Sequence, residues 1–583
     1  MTNEHTGYDA PPRWGWIASP MWAIEQAYGR ARATDSAADN ARIRIFFVLV
    51  VFAIGFVTLA LGATRAALFS DAGARGTYRP LYNTARADLV DRNGRLLAAD
   101  LLHYGLYIEP REIWDRGEIR RALTAQLPGL DAARLEKALK GKKRAYVLGS
   151  LTPAIRDQVN ALGLPGVSFE PEEHRAYPLG STAAHVIGFA DSGGRGLAGA
   201  ERAFNELARA QASSHTPVPL SIDLRIQGAL EDELERAAVD FQVKGAVGIV
   251  TNVQTGEILG LASYPDFDPN NPGASTADAL VNRAGSTVFE MGSTFKAFTV
   301  AAGLDAGVAT PETRFDATQP FKLGYRTIRD YHAARKVLNL VEVFQHSSNI
   351  GTAKLGVAIG PQRLSHYFAD LGLTTPAKVE LVESARPLTP KVWNEDAVAS
   401  TSFGHGMNVT ALAVTRAMGS LLNGGKTIPL TLLKREPGYR PVGVQAVSAQ
   451  TSQQMLYMMR ANVTGGSGGS ADAAGLRVGG KTGTGEKYDP SIRGYSKQKQ
   501  VSSFAAVFPT DGAPSDTRYF VLILMDEPKP TKETYGYTTG GWVAAPAAGR
   551  TIDRIAPFLG VARNPAHFDP FGLPEGAKAE DGH

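Results

Sequence analysis

Cysteine is absent from the 583-residue chain, which excludes disulfides, a thiol nucleophile and thiolate-held metals. The compartment stays open, because a chain this large can be exported without a disulfide. Charge of one sign is also lacking: 61 Lys and Arg face 57 Asp and Glu, for a formal net charge of +4. With no concentrated basic block, nothing marks a nucleic-acid surface. The 11 His include no HExxH pair or comparable cluster, so no zinc motif is present. Gly and Pro number 62 and 34 but follow no fixed period, which excludes collagen-like and solenoid architectures. What is present is a globular composition, 44% hydrophobic with 24 Phe, 19 Tyr and 6 Trp. The length is roughly four times the ~150-residue prior for one domain, enough for several cores.

One long apolar run exists, Ile45 to Thr64 (IFFVLVVFAIGFVTLALGAT), twenty residues without a charge. At about 1.5 Å per residue it matches a bilayer core. A cleaved leader has a shorter apolar run and a shorter basic lead-in, whereas 44 residues precede this one, so a retained anchor is expected. Arg30, Arg32, Arg42 and Arg44 lie before it, against Arg65, Arg75 and Arg79 after it. This slight excess favours the N-terminus inside.

The expected organisation is a flexible cytoplasmic tail over 1–44, a transmembrane anchor over 45–64, a non-catalytic mixed α+β pedestal module over 65–235, a large domain over 236–565 and a short tail over 566–583. In the pedestal, ADLVDRNGRLLAAD places a turn at Asn93-Gly94 between two short strands. IRRALTAQLPGLDAARLEKALKGKK and TPAIRDQVNAL have helical spacing. SIDLRIQGALEDELERAAVDF reads as a short strand and then an amphipathic helix, with Leu230, Leu234 and Ala238 near one face. Beyond it, GAVGIVTNVQTGEILGLASYPDF predicts two antiparallel strands joined at Gln254–Glu257. Helical spacing follows in MGSTFKAFTVAAGLDAG, alternation returns in LRVGGKTGTGE, VSSFAAVFP and RYFVLILMDEP, and GGWVAAPAAGRTIDRIAPFLG reads as a closing helix. The order fits an α/β domain with an antiparallel sheet flanked by helices.

Three short motifs carry chemistry. In Ser293-Thr294-Phe295-Lys296, a spacing of three near a helix start places hydroxyl and amine on adjacent turns of one face. The amine can take the serine proton once burial or a positive neighbour lowers its pKa. In Ser347-Ser348-Asn349, Ser347 can relay a proton or bond to Lys296, and Asn349 can donate to a substrate carbonyl and steady Lys296. In Lys481-Thr482-Gly483-Thr484, Gly483 permits close backbone approach to an extended peptide, and Lys481 with the two threonines can hold a carboxylate. The Ser293 and Thr484 amides can form an oxyanion hole. The blander readings are an N-cap serine beside a solvated lysine, and a polar helix cap. A rival overlaps the third motif, because Gly475 to Thr482 satisfies the phosphate-loop pattern GxxxxGK[ST]. That mechanism needs the lysine and threonine to open a helix, which Gly483, Gly485, Pro490 and Gly494 oppose.

The order SxxK, then SxN 54 residues after the serine, then KTG at 188 after it, is far more specific than any one motif. With NRAGSTVFEMGSTFKAF, HSSNIGTAKL, SFGHGMNVTALAVTRAMGSLLNGGK, RVGGKTGTGEK and YGYTTGGWVAAPAAGR, the chain resembles the class B penicillin-binding proteins, specifically the septal peptidoglycan D,D-transpeptidases. ADLVDRNGRLLA, HRAYPLGSTAAHVIGF and GLAGAERAFN resemble that family's non-catalytic, dimerisation-like module. Met291 stands where the family often has Pro, and Ala87 where it has Gly after arginine. Neither removes a catalytic group.

The resemblance implies Ser293 as acylated nucleophile and Lys296 as its proton acceptor. Ser347, Asn349 and Lys481 would complete proton transfer and substrate alignment, and Ser293, Thr482, Gly483 and Thr484 would form the substrate-binding and oxyanion site. It implies attack on a stem peptide ending in D-Ala-D-Ala, loss of D-Ala, and cross-linking by an amine from another strand. No metal or organic cofactor is implied. β-Lactams would act as covalent inhibitors, a membrane glycan polymerase and cell-division proteins as partners. The place would be the bacterial inner membrane, single-pass, with the catalytic domain extracytoplasmic. Rivals are the elongation-specific class B enzyme, a β-lactamase or β-lactam sensor, a bifunctional polymerase, for which the pedestal is too short, and a non-catalytic cell-wall scaffold.

Overall fold

The structure is a computed structural model that describes residues 25–26, 28–29, 33, 37–69, 85–489, 491–492 and 494–564. Contacts divide the chain into one unit over 1–81 and another over 82–583. The expected tail over 566–583 and most of the tail over 1–44 lie outside the described residues.

In the first unit, α1 (Ala37–Phe69) is a 33-residue helix. Phe47, Phe52, Ile54, Phe56, Leu59 and Leu61 are all exposed on it, and the Thr58 hydroxyl donates to the Ile54 carbonyl at 2.7 Å, keeping its polar group inside the helix. The unbroken stretch of described side chains covers 47–61. No helix is long and apolar enough to cross a membrane when only described residues are counted; the expected span at 45–64 lies within α1 and reaches past that stretch of described side chains.

The second unit begins with a sheet of β1 (Leu89–Val90), β2 (Leu96–Ile108), β3 (Ala145–Leu151), β4 (Val167–Ala176) and β5 (Val218–Pro219). β2 pairs antiparallel with both β3 and β4, and β1 joins β2 to a parallel β5. Helices α2 (Arg116–Gln126), α3 (Ala132–Lys140) and α4 (Pro153–Asn160) accompany it. The long helical pattern expected from IRRALTAQ onward is two helices. Pro128-Gly129 breaks it, and the Asp131 carboxylate caps α3 by accepting from the Ala133 and Arg134 amides at 2.8 and 3.2 Å. Ile119, Leu123, Leu135 and Leu139 bury against Leu106, Ile108, Val147 and Leu151. Nearby, Glu201 receives two guanidinium groups, Arg86 and Arg175, each at 2.6 Å. A buried carboxylate is tolerable only when paired in this way.

Helix α5 (Leu224–Asp240) then leads into a second sheet, and the expected boundary at 235/236 falls inside it. β6 (Gly245–Asn252) and β7 (Ile258–Tyr264) form the expected hairpin. Next come α6 (Lys296–Asp305), α7 (Asn349–Ile359), α8 (Ala411–Leu422) and α9 (Ala449–Gly465), then β8 (Gly479–Asp489), β9 (Gly494–Phe508) and β10 (Tyr519–Asp526), and finally α10 (Ala544–Ile555). The strand order is β8-β9-β10-β6-β7, antiparallel throughout. β10 shows why its sequence is apolar without a polar face: Val521, Ile523 and Met525 pack with α5 and α10, while Phe520, Leu522 and Leu524 face the cluster holding α6, α7, α8 and α9. A strand covered on both sides reads as a continuous apolar run. β8 is left at the sheet edge, beside the turn that opens α6.

Candidate active site

A tight turn, Gly292–Phe295, precedes α6 and carries Ser293. Gly292 has φ +51°, and a Cβ there would lie 2.1 Å from the Thr484 carbonyl oxygen. Gly483 is equally confined, since a Cβ would meet Thr294 Oγ1 and Ser503 Oγ at 2.3 Å. Glycine at both positions lets the serine turn lie directly on β8, which a side chain would prevent. Met291, where a proline was the familiar alternative, is buried behind this turn.

Lys296 is fully buried at the start of α6, and its ammonium donates to the Ser347 carbonyl and, at 3.0 Å, to Ser347 Oγ. Lys481, also fully buried, reaches the same hydroxyl at 3.0 Å. One serine oxygen therefore bridges two lysines that lie 185 residues apart in sequence. Ser347 sits at φ +53°, a left-handed conformation unusual for a residue with a side chain. Such strain persists only where surrounding structure enforces it, and it concentrates at functional sites. Burial pushes Lys296 well below the ordinary lysine range, and Lys481 pushes it further, against a weaker opposing pull from Asp330. Burial alone brings Lys481 down to about 7. Two ammonium groups sharing one hydroxyl in a dry site cannot both stay charged cheaply, so the pair titrates as a unit.

Asn349 opens α7 and lines the same cleft, but its amide donates to the Arg329 carbonyl at 3.0 Å. The expected contact with Lys296 is not made. The geometry of the helix start explains this, since the Ser347 carbonyl occupies the lysine while Ser348 caps α7 through Gly351 N at 3.0 Å and donates to Asp330 at 2.8 Å. No side-chain hydrogen bond of Ser293 is present among the described residues, which leaves its hydroxyl open to the cleft.

On β8, Lys481 also approaches Thr482 Oγ1 at 3.3 Å, and Thr482 shares a 2.7 Å hydrogen bond with Ser467. Thr484 Oγ1 accepts from the Gly540 amide at 3.1 Å. Lys481 and Thr482 lie inside a strand rather than at a helix start, so the phosphate-loop reading fails on geometry. The cleft between these walls has a volume of about 590 Å³ and is lined by Ser293, Ser347, Asn349, Thr482 and Thr484 together. That is ample for a peptide segment. It also contains residues that sequence reasoning missed: Ser467, Glu290, His405, Trp542 and Glu486. Glu290 is buried and accepts from His405 Nδ1 at 2.6 Å and from the Gly406 amide at 3.1 Å. The gap of 115 residues between Glu290 and His405 left no local pattern to read. The GGSGGS run around Ser467 reads only as loop.

Known proteins resemble the chain in sequence and fold. A family model described as the penicillin binding protein transpeptidase domain matches residues 246–553, and one described as the penicillin-binding protein dimerisation domain matches 82–210. The chain is 60% identical over 586 residues to the probable peptidoglycan D,D-transpeptidase FtsI of Caulobacter vibrioides, with 100% of each covered. To the peptidoglycan D,D-transpeptidase FtsI of Escherichia coli K12 it is 29% identical over 533 residues, covering 85% of this chain and 86% of the other. Among solved structures, penicillin binding protein 3 of Mycobacterium tuberculosis, complexed with aztreonam, shares the fold with a TM-score of 0.62 at 24% identity, covering 82% of this chain and 97% of that one.

Proposed function

Because the chain belongs to the penicillin-binding protein transpeptidase family, we propose that Ser293 is its acylated nucleophile and that Lys296, Ser347 and Lys481 form the proton relay around it. The protein is a serine-type D,D-transpeptidase of peptidoglycan cross-linking. The observation that carries the residue assignment is the Ser347 hydroxyl held at 3.0 Å by both buried lysines beside an open Ser293.

In the first half-reaction, Ser293 Oγ attacks the carbonyl carbon of the penultimate D-Ala of a stem peptide. Its proton passes to neutral Lys296, the amide C–N bond breaks, and the departing D-Ala nitrogen receives a proton through Ser347. In the second, an amine of another stem attacks the ester carbonyl and displaces Ser293 Oγ, which regains its proton as the cross-link forms. Burial and the neighbouring Lys481 hold the Lys296 pKa well below the ordinary lysine range, which favours the uncharged amine that this step uses. Lys481, with Thr482 and Thr484, holds the terminal carboxylate, whose charge favours the ammonium form of Lys481 once substrate is bound. The Ser293 and Thr484 amides stabilise the oxyanion, and Asn349 aligns the donor from the facing wall.

The division-type role, the partners and the anchor belong to the same proposal. The likeness to FtsI of C. vibrioides over the whole chain supports septal synthesis, alongside a membrane glycan polymerase and division proteins. The apolar Ile45–Thr64 segment supports a single membrane span, with 65 onward extracytoplasmic, a pedestal running to the start of α5 and the transpeptidase domain beyond it. The test is cross-linking of pre-formed glycan strands by the full-length protein in detergent, read by mass spectrometry of muropeptides. Dimeric muropeptides that vanish with Ser293→Ala support the assignment, and dimers made by that variant overturn it.

A further inference from the structure

Five arginines are buried among the described residues, and four of them have partners. Arg86 and Arg175 share Glu201, and Arg283 pairs with Asp278 at 2.6 Å. Arg518 donates to the Asp511, Gly512 and Ala513 carbonyls at 2.9, 2.9 and 2.7 Å. Arg416, in the middle of α8, is the exception. It is only 6% exposed, its Nε is enclosed without a partner, and its guanidinium makes no hydrogen bond or ion pair among the described residues. Burial lowers its pKa, with no carboxylate acting in the other direction. A guanidinium stays protonated even so, and a lone buried charge is costly.

The surroundings define what could match it. Gly372 has φ +80°, and a Cβ there would lie 1.4 Å from Arg416 Nη2, so the guanidinium lies against backbone that carries no side chain. Arg416 lines a crevice between α8 and the end of β6 whose free volume is about 10 Å³, close to the least that takes one water-sized particle. None of the lining residues is acidic. Most of their donors are committed. The Asn423 amide donates to the Val253 and Lys426 carbonyls at 3.2 and 2.8 Å, and the Ser420 and Thr415 hydroxyls donate to α8 carbonyls at 3.0 and 2.9 Å. Thr251 is buried on the face of β6 that carries Val247 and Ile249 toward α8, and its hydroxyl makes no hydrogen bond among the described residues. A guanidinium and a hydroxyl, both donors, therefore face a space with room for one atom. Water there satisfies hydrogen bonds but brings no charge, whereas phosphate or sulfate brings charge but needs more room.

We infer that this crevice is a binding site for a monatomic anion of chloride's class, held by Arg416 with Thr251. The site shares no lining residue with the catalytic cleft. It completes the packing of α8, whose start pairs through Val409 and Thr410 with Phe289 and Val288, just ahead of the Ser293 turn.

The test melts the full-length protein in detergent at one ionic strength, in sodium chloride or in sodium gluconate, whose anion is too large for the crevice. General salt effects act on wild type and Arg416→Met alike, so the readout is the wild-type Tm minus that of the variant in each salt. This difference should rise by about 2 °C from gluconate to chloride, the size expected of a site filled at about tenfold over its Kd. In gluconate it should be zero or negative, because methionine removes an uncompensated buried charge. Crystals of the wild type grown in bromide should give an anomalous peak within hydrogen-bonding reach of the Arg416 guanidinium, a readout that stands even where the variant does not fold. A Tm difference equal in the two salts would overturn the proposal, and with bromide present it would mark an adventitious ion only. A crevice without bromide would overturn it as well.

Discussion

Replacing Ser347 by Ala tests the proton relay at its narrowest point. The change removes the one oxygen that receives Lys296 and Lys481, each at 3.0 Å. The Ser347 carbonyl still holds Lys296, and alanine meets no more backbone strain at φ +53° than serine does. The lysines should therefore stay near their present positions. A hydrogen bond to a charged partner contributes about 1.5–3 kcal/mol, and each 1.36 kcal/mol in the barrier is tenfold in rate, so acylation should slow by about 10- to 150-fold. Stability should change little, with Tm falling by no more than about 2–4 °C per kcal/mol of lost interaction for the large domain. The assay is the second-order rate constant for acylation by a fluorescent penicillin, with Tm measured on the same preparation. A rate within twofold of wild type at unchanged Tm would refute the relay, since a merely structural hydroxyl would leave the chemistry untouched.

Other outcomes follow from the same geometry. With a carboxylate-ended peptide, kcat/KM should rise as Lys296 loses its proton, well below the ordinary lysine range, and fall above about 7 as Lys481 becomes neutral, giving a bell whose limbs belong to the coupled pair; a flat profile from pH 6 to 9 would contradict it. Gly404→Ala should slow acylation more than tenfold, because φ is +84° and the new Cβ would lie 1.9 Å from the Gly292 carbonyl oxygen, adding about 1–2 kcal/mol of left-handed strain to the overlap; normal labelling rates would show that the Ser293 turn tolerates displacement. Burial raises Glu231 to about 7 and Asp266 to about 6. Because these folded values exceed the unfolded ones, their contribution is full below the ordinary carboxylate range and is lost as pH rises through 6 to 7; urea midpoints should decline over that interval, and Glu231→Gln should flatten the decline.

Much of the catalytic domain was legible because its determinants are local. β6, β7, β9 and β10 announce themselves by apolar runs and turn residues, and the three motifs sit within four-residue windows. The pedestal was harder. β2 carries 13 residues with mixed burial, and β4 contains Pro171 and several charges. β4 pairs on one side only, as an edge strand where a proline is tolerated. Its strand character comes from pairing with β2, some 70 residues away in sequence, and no local propensity encodes it. At the site, residue types pointed to the lysines and serines of the proposed relay, but the direction of Asn349 depended on the carbonyl of Arg329 in a separate loop. Glu290 and His405 were invisible for the same reason, each being ordinary without its partner.

The most direct test of the account is intact-mass spectrometry of the full-length protein after exposure to a β-lactam, followed over hours and mapped by proteolysis. The account predicts one stable adduct, located on the peptide containing Ser293 and absent from Ser293→Ala. An adduct on another residue, or rapid return to the unmodified mass with drug consumed, would contradict it.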